Sequence, residues 1–199
     1  GGSLAGDVET TLDVWDTMLR ELGEQLGHAR AVLVERSQPM ARDAYRDLAG
    51  EDAEIELVYR PAWREVGLAA ALAAARRDDL RRGVSTVGPH RDDVDLRLGG
   101  MPARTHASQG EQRTLALALR LATHRLVADR TGSTPVLILD DVLSELDPGR
   151  SAALISHLPA GQVLITSASP LPEHAEPDRV IRVEAGTVIG GMDATDGVR

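Results

Sequence analysis

The run Val136-Leu137-Ile138-Leu139-Asp140-Asp141 is apolar until it ends in two carboxylates. A buried strand holds its C-terminal end rigid, which fixes the direction of carboxylates placed there. Asp140 would then support a Mg²⁺ ion bound to nucleotide phosphates, because Mg²⁺ takes oxygen ligands and keeps several waters. Asp141 would orient or deprotonate an attacking water. This is a Walker B pattern. Alone it is weak, since apolar strands also end in Asp to stay soluble or to open a turn.

Two further groups stand in order around it. Ser144-Glu145-Leu146-Asp147 follows directly, and Pro148 comes next. Asp147 with Pro148 also reads as an ordinary helix start, an N-cap followed by proline at the first helical position. Upstream stands Ala107-Ser108-Gln109-Gly110-Glu111-Gln112-Arg113. Ser108 and Glu111 have capping-box spacing. The same geometry offers a hydroxyl, a glycine that lets backbone approach, and free N–H groups at a helix N-terminus. Together these can accept an anion such as a γ-phosphate.

The order of signature helix, apolar strand with Asp140-Asp141, then Ser144 to Asp147 resembles the ABC-type ATPase heads, including the SMC and RecF families. Their signature, roughly L-S-G-G-Q, stands here as Ala107-Ser108-Gln109-Gly110-Glu111, and Ser144 to Asp147 matches their D-loop. Within that group the RecF family is most similar. Leu12-Asp13-Val14-Trp15-Asp16 and Ala44-Tyr45 look like its helical arm. Gly88-Pro89-His90-Arg91-Asp92-Asp93 is similar to its G-P-H-R-x-D segment, and Asp141 takes the place of the usual catalytic Glu. The resemblance covers roughly residues 10–190.

The resemblance implies two heads that sandwich ATP. Asp140 is then the Mg²⁺ support and Asp141 the general base. Ser108 and Gly110, with Gln109, Glu111 and Gln112 around them, face the nucleotide of the other subunit. Ser144 and Asp147 lie at the dimer interface. Glu111 stands where many ABC proteins have Gln, a change that SMC-like signatures tolerate. Ser167, with Ala168 and Ser169, stands where a switch histidine is expected, which puts fast hydrolysis in doubt but not ATP binding. His90 and Arg91 either form a turn between strands or contact a DNA backbone, for which a planar guanidinium is suited.

Composition limits the rest. All 22 basic residues are Arg, and Lys, Asn, Phe and Cys are absent. A GC-rich genome explains those absences, yet they exclude a Schiff base, a catalytic thiol, a disulfide framework and a Cys zinc site. Six His are scattered without metal spacing. Net charge is −9, so DNA contact needs a local Arg patch. Arg76, Arg77, Arg81 and Arg82 offer one, partly cancelled by Asp78-Asp79. No apolar run suits a membrane span and no signal peptide is visible, so a soluble cytoplasmic, nucleoid-associated chain is expected. A Walker A loop, G-x-x-x-x-G-K-[ST], is absent. Two explanations compete: a fragment that begins after the Walker A lobe, or a protein that kept the fold and lost ATP binding. Retention of both Asp140 and Asp141 favours the fragment, for which no ATP hydrolysis is expected in isolation.

These residues need elements to hold them. Leu12, Trp15, Leu19, Leu22, Leu26, Ala29 and Leu33 alternate spacings of three and four, the stripe of a long helix packed on neighbouring helices or, less favoured, of a dimeric coiled coil. Residues 8–49 are expected to form one or two helices, weakened at Gly23 and Gly27 and broken or kinked at Pro39. Strands are expected at 55–59, 84–87, 94–98 and about 101–105, with Gly99-Gly100 as the hairpin turn. A helix is expected at 66–82, and another, mostly buried, at 109–130. After it come a central parallel strand at 135–139, a helix at 148–158, strands at 162–166 and 179–183, and a last strand after Gly186. The expected class is α/β: ABC-type ATPase C-terminal lobe elements, P-loop NTPase-like, at 84–190. A helical arm with one short strand precedes them at 1–83, and a flexible tail follows at 191–199.

The leading expectation is the C-terminal part of a RecF-type, ATP-dependent DNA-binding repair and replication protein. It would dimerise around ATP and Mg²⁺, bind single-strand/double-strand junctions or gaps, and recruit the mediator RecR. A non-catalytic ABC-like partner-binding module and an SMC-type head fragment are the alternatives.

Overall fold

The computed structural model describes residues 2–193. Helix α1 (Gly2–Ala49) runs unbroken for 48 residues with Pro39 inside it. The expected break is absent. Beside the proline, the Gln38 side chain leaves the helix surface to accept the backbone N–H of Leu57 at 2.9 Å. That bond ties α1 to strand β1 (Ile55–Arg60).

The C-terminal half of α1 enters the core. Ala41, Ala44, Tyr45 and Leu48 are buried with Ile55 and Leu57 of β1 and with Leu115, Ala118, Leu121 and Ala122 of α4 (Gln109–Thr131). With no Phe and few aromatics, alanines on both helices let the backbones approach, and leucines fill the layer.

The N-terminal half packs through a face the apolar stripe does not mark. Gly23 and Gly27 are buried, whereas Trp15, Leu22, Leu26 and Leu33 are exposed. A Cβ added at Gly23 would lie 2.5 Å from Leu68 Cδ2, and one at Gly27 would lie 2.7 Å from the Trp63 ring. The Trp63 ring cannot give freely, because its Nε1 donates to Asp92 at 3.1 Å. Gly27→Ala gains helix propensity but overpacks this contact. It is expected to lower stability by about 1–3 kcal/mol. Thermal unfolding checks this, and a melting temperature at or above that of the unsubstituted protein counts against the close approach.

Strand β1 pairs antiparallel with β2 (Asp93–Leu98), from Ile55 opposite Leu98 to Arg60 opposite Asp93. This pairing joins residues on the two sides of position 83. Helix α2 (Leu68–Arg82) ends at Gly83 in the left-handed conformation. The strand expected at 84–87 does not form. Thr86 instead donates its N–H and hydroxyl to the Asp79 carboxylate, which folds the segment back on α2. The strand expected at 101–105 shortens to β3 (Met101–Pro102), and α3 (Ala103–His106) follows at once. Pro102 has no N–H with which to extend a ladder.

Strand β4 (Leu137–Asp140) pairs in parallel with β5 (Val163–Thr166). Leu137 and Leu139 join the core with Leu154 of α5 (Pro148–Ser156). Ile138 and Leu164 face outward, 65% and 48% exposed. Among the described residues only one face of the two-stranded sheet is covered, so full burial of the apolar strand is not met there. Strands β6 (Arg179–Glu184) and β7 (Thr187–Asp193) form an antiparallel hairpin, and residues 194–199 lie outside the described residues. No helix among the described residues is long and apolar enough to cross a membrane.

Candidate functional site

The signature residues stand at the start of α4. Ser108 is its N-cap in extended conformation, with a complete capping box. The Ser108 hydroxyl accepts the Glu111 N–H at 3.3 Å, and Glu111 Oε2 accepts the Ser108 N–H at 2.7 Å. Gln112 donates to the Ala107 carbonyl at 2.9 Å and closes the turn. Ser108 and Gln109 are exposed. Hydrogen bonding from the Ser108 side chain, and then from its backbone N–H, holds the Glu111 carboxyl below its ordinary value. A group depressed on folding stabilises above its unfolded pKa and loses that contribution as pH falls through its folded pKa. The Glu111 contribution is thus expected to be complete above roughly pH 5 and to fade below it. Thermal melts of Glu111→Gln and the unsubstituted protein should converge on acidification, and a constant gap between them would count against this.

The Walker B acids sit where β4 meets β5. Asp140 lies opposite Thr166 in the parallel register. The Thr166 hydroxyl donates to Asp140 Oδ1 at 2.5 Å and accepts the Asp141 N–H at 3.0 Å. Asp141 takes a left-handed backbone, φ 48 and ψ 26, which is uncommon outside glycine and tolerated best by Asn and Asp. Both side chains are exposed, and the Asp141 carbonyl accepts the Ser144 hydroxyl at 2.8 Å. The Ser167 hydroxyl donates to the Ser169 carbonyl at 2.8 Å.

The D-loop and the signature are joined by two arginines. Asp147 caps α5, accepting the Arg150 N–H at 3.0 Å and its guanidinium at 3.1 Å. The Arg150 backbone bond, with further help from its charge, holds the Asp147 carboxyl below the ordinary range. The same guanidinium passes Gly110 so closely that a Cβ there would lie 2.8 Å from it. Arg113 of α4 pairs with Glu145 at 2.8 Å. Among the described residues, no hydrogen bond or ion pair joins Ser108 to Asp140 or Asp141. The D-loop thus touches both sides: Arg113 and Arg150 link it to the signature helix, and the Ser144 hydroxyl reaches the Asp141 carbonyl.

A third cluster surrounds the turn Pro89–Arg91. Its anchor is Asp92, whose side chain is 1% exposed and lies 3.7 Å from the Arg30 guanidinium. Asp92 also accepts from the Tyr59 hydroxyl and, at 3.1 Å, from Trp63 Nε1. Burial first, then the Asp92 bond, pushes the Tyr59 hydroxyl above its ordinary value, so it stays a donor. His90 and Arg91 project into solvent, with Arg91 Nε and NH2 turned to the Ser85 carbonyl at 3.2 and 3.0 Å. The arginines of α2 are partly neutralised: Arg76 pairs with Asp13 at 2.6 Å, and Arg81 with Asp78 at 3.0 Å.

Sequence reasoning missed Thr166, Arg150, Arg113 and the anchoring role of Asp92. Thr166 was within reach, because an in-register parallel pair of 137–140 with 163–166 puts it beside Asp140. Arg150 carries no such signal, since its contact with Gly110 depends on how α5 meets α4. Among the described residues, no group of three or more His, Cys, Asp or Glu could hold a metal by itself. One carboxylate, completed by phosphates and waters, still fits Mg²⁺.

The chain is similar in sequence and fold to known proteins. No family model matches the chain. The DNA replication and repair protein RecF of Arthrobacter sp. (strain FB24) is 38% identical, over 98% of this chain and 57% of that protein. RecF of Geobacter sulfurreducens is 41% identical, over 89% of this chain and 52% of that protein. The chain thus spans about half the length of the curated relatives it matches. A solved structure of the recombination mediator protein RecF with ATPrS, of the RecFOR pathway, superposes with a TM-score of 0.74. It is 29% identical over 90% of this chain and 50% of that one. An SMC head domain from Pyrococcus furiosus, 12% identical over 98% of this chain and 44% of that one, has a TM-score of 0.55 and shares the fold. The architecture is the α/β fold of the ABC-type ATPase heads.

Proposed function

Because this chain belongs to the RecF family, we propose that it is part of an ATP-dependent DNA-binding protein of recombinational repair and replication. In this reading two copies close around ATP and engage DNA at single-strand/double-strand junctions or gaps, with RecR as the protein partner. It acts in the cytoplasm, at the nucleoid. The observation that carries the reading is the separation of Ser108 from the Walker B acids. Among the described residues no hydrogen bond or ion pair joins Ser108 to Asp140 or Asp141, which are both bonded to Thr166, while Arg150, bound to Asp147, passes close to Gly110. One head's signature then serves the nucleotide lying on the other head's Walker B acids, and the D-loops at the interface link the two.

The roles follow from the chemistry each residue can supply. Ser108 offers a hydroxyl, and the first turn of α4 offers N–H groups to a γ-phosphate. Asp140, with one carboxylate oxygen taken by Thr166, would hold Mg²⁺ through the other. Mg²⁺, when bound, neutralises the charge that develops on the phosphates. Asp141 takes the proton of the attacking water. The cradle for the phosphates needs a lysine, and would come from the part of the family's length that this chain does not span. His90 and Arg91 stand exposed on an anchored turn, suited to DNA backbone contacts.

The test uses the full-length protein that carries this segment. With ATP it should sediment as a dimer and bind gapped DNA more tightly than without nucleotide. Asp141→Ala should leave association intact and lower phosphate release by about 100-fold or more. Unchanged turnover removes Asp141 as the base. Failure of the unsubstituted protein to associate with ATP removes the whole reading.

A further inference from the structure

We propose that Thr166 is a positioning residue for the Walker B acids, fixing Asp140 and Asp141 at once through a single hydroxyl. The proposal rests on the ATP reading above for its consequence in turnover, but its geometry stands by itself.

A threonine hydroxyl has one proton to give and lone pairs to receive. Here the proton goes to Asp140 Oδ1 at 2.5 Å, and a lone pair takes the Asp141 N–H at 3.0 Å. The same N–H also lies 3.1 Å from the Thr166 carbonyl. The two acids are adjacent in sequence, and Thr166 reaches both because β5 runs parallel to β4 with Thr166 opposite Asp140. Each contact sets one degree of freedom. The bond to Oδ1 stops rotation of the Asp140 carboxylate and leaves Oδ2 as the oxygen that faces away from Thr166. The bond from the Asp141 N–H supports the left-handed backbone at that residue, which a non-glycine side chain otherwise disfavours. Release of this bond leaves the Asp141 N–H on the Thr166 carbonyl alone and loosens the backbone that aims the Asp141 carboxylate. Thr166 also stands directly before Ser167, so a movement of that loop passes to both acids through one side chain.

The test compares Thr166→Val with Thr166→Ser in the full-length protein. Valine keeps the β-branched shape and strand propensity and deletes only the hydroxyl. Serine keeps the hydroxyl. Thr166→Val should lower ATP turnover by about 10- to 100-fold, the scale of a slightly misplaced catalytic group. ATP-driven association should survive, because the Thr166 hydroxyl bonds Asp140 and Asp141 and not the signature. Affinity for Mn²⁺ in the presence of ATP, read by electron paramagnetic resonance, should weaken with valine and recover with serine. Hydrogen exchange of the Asp141 amide needs no nucleotide. It should quicken about 2- to 10-fold in Thr166→Val, as one of its two acceptors is lost, and stay slow in Thr166→Ser. Equal exchange in both variants overturns the proposal whatever the ATP result. Faster exchange in valine alone, with no ATP-driven association of the unsubstituted protein, keeps Thr166 as the anchor and sinks the nucleotide reading instead. A serine variant as impaired as valine at equal melting temperature also overturns it.

Discussion

Asp92→Ala is expected to cost about 2–4 kcal/mol of folding stability, because it leaves two part-buried donors without an acceptor, each worth about 1–3 kcal/mol. The Asp92 side chain is 1% exposed. It collects the Tyr59 hydroxyl, Trp63 Nε1 and the Arg30 guanidinium, which come from β1, the loop after it, and α1. Alanine would leave the two donors without an acceptor and Arg30 with only its bond to the Pro89 carbonyl. Such a loss is a large share of the roughly 5–15 kcal/mol that a domain has. Asp92→Asn keeps an acceptor oxygen but not the charge opposite Arg30, so it should fall between the two. Urea midpoints at equal slope measure the effect. A loss below about 1 kcal/mol for alanine would mean that water replaces the carboxylate with little penalty. The turn Pro89–Arg91 rests on this anchor, so DNA affinity through His90 and Arg91 should fall with Asp92→Ala even where the chain remains folded.

The sequence made the local signals easy to read and left the choice of faces obscure. Ser108 and Glu111 announced the capping box, and the structure contains it. Asp147 with Pro148 announced α5, and the apolar run before Asp140 announced β4. These signals are local, because a cap or a strand end is decided within a few residues. The long helix was different. Its stripe of Trp15, Leu22, Leu26 and Leu33 suggested the packed face, yet those side chains are exposed and the glycine face is buried. Hydrophobic periodicity gives a helix and its apolar side, but which side a neighbour meets depends on the neighbour. Here Leu68, Pro89 and Trp63 press on Gly23 and Gly27, where no side chain stands in the way. The same limit hid Arg150. Nothing near it in sequence says that its guanidinium passes Gly110, a proximity set by how α5 sits beside the start of α4.

Ser108→Asp in the full-length protein is expected to abolish ATP-driven dimerisation without unfolding the chain, and Ser108→Arg to do so by crowding. The two substitutions separate causes that a single one would mix. Ser108 caps α4, and losing a cap costs about 1 kcal/mol. Asp caps as well as Ser, so the helix should keep its start and the melting temperature should hardly move. What changes is the charge. An added carboxylate would sit at the helix N-terminus where the γ-phosphate of the opposite head is proposed to lie, and like charges at that range repel strongly in a closed interface. Arg brings the opposite charge with far more bulk and no cap. If attraction to phosphate governed the site, Arg would strengthen association. If crowding outweighs that attraction, Arg fails by its bulk while Asp fails by its charge. Ser108→Ala, which removes hydroxyl and cap but adds nothing, should weaken association less than either. Sedimentation with and without ATP reads all three. A dimer that forms normally in Ser108→Asp would show that no phosphate approaches this turn, and the signature of one head would then not serve the nucleotide of the other.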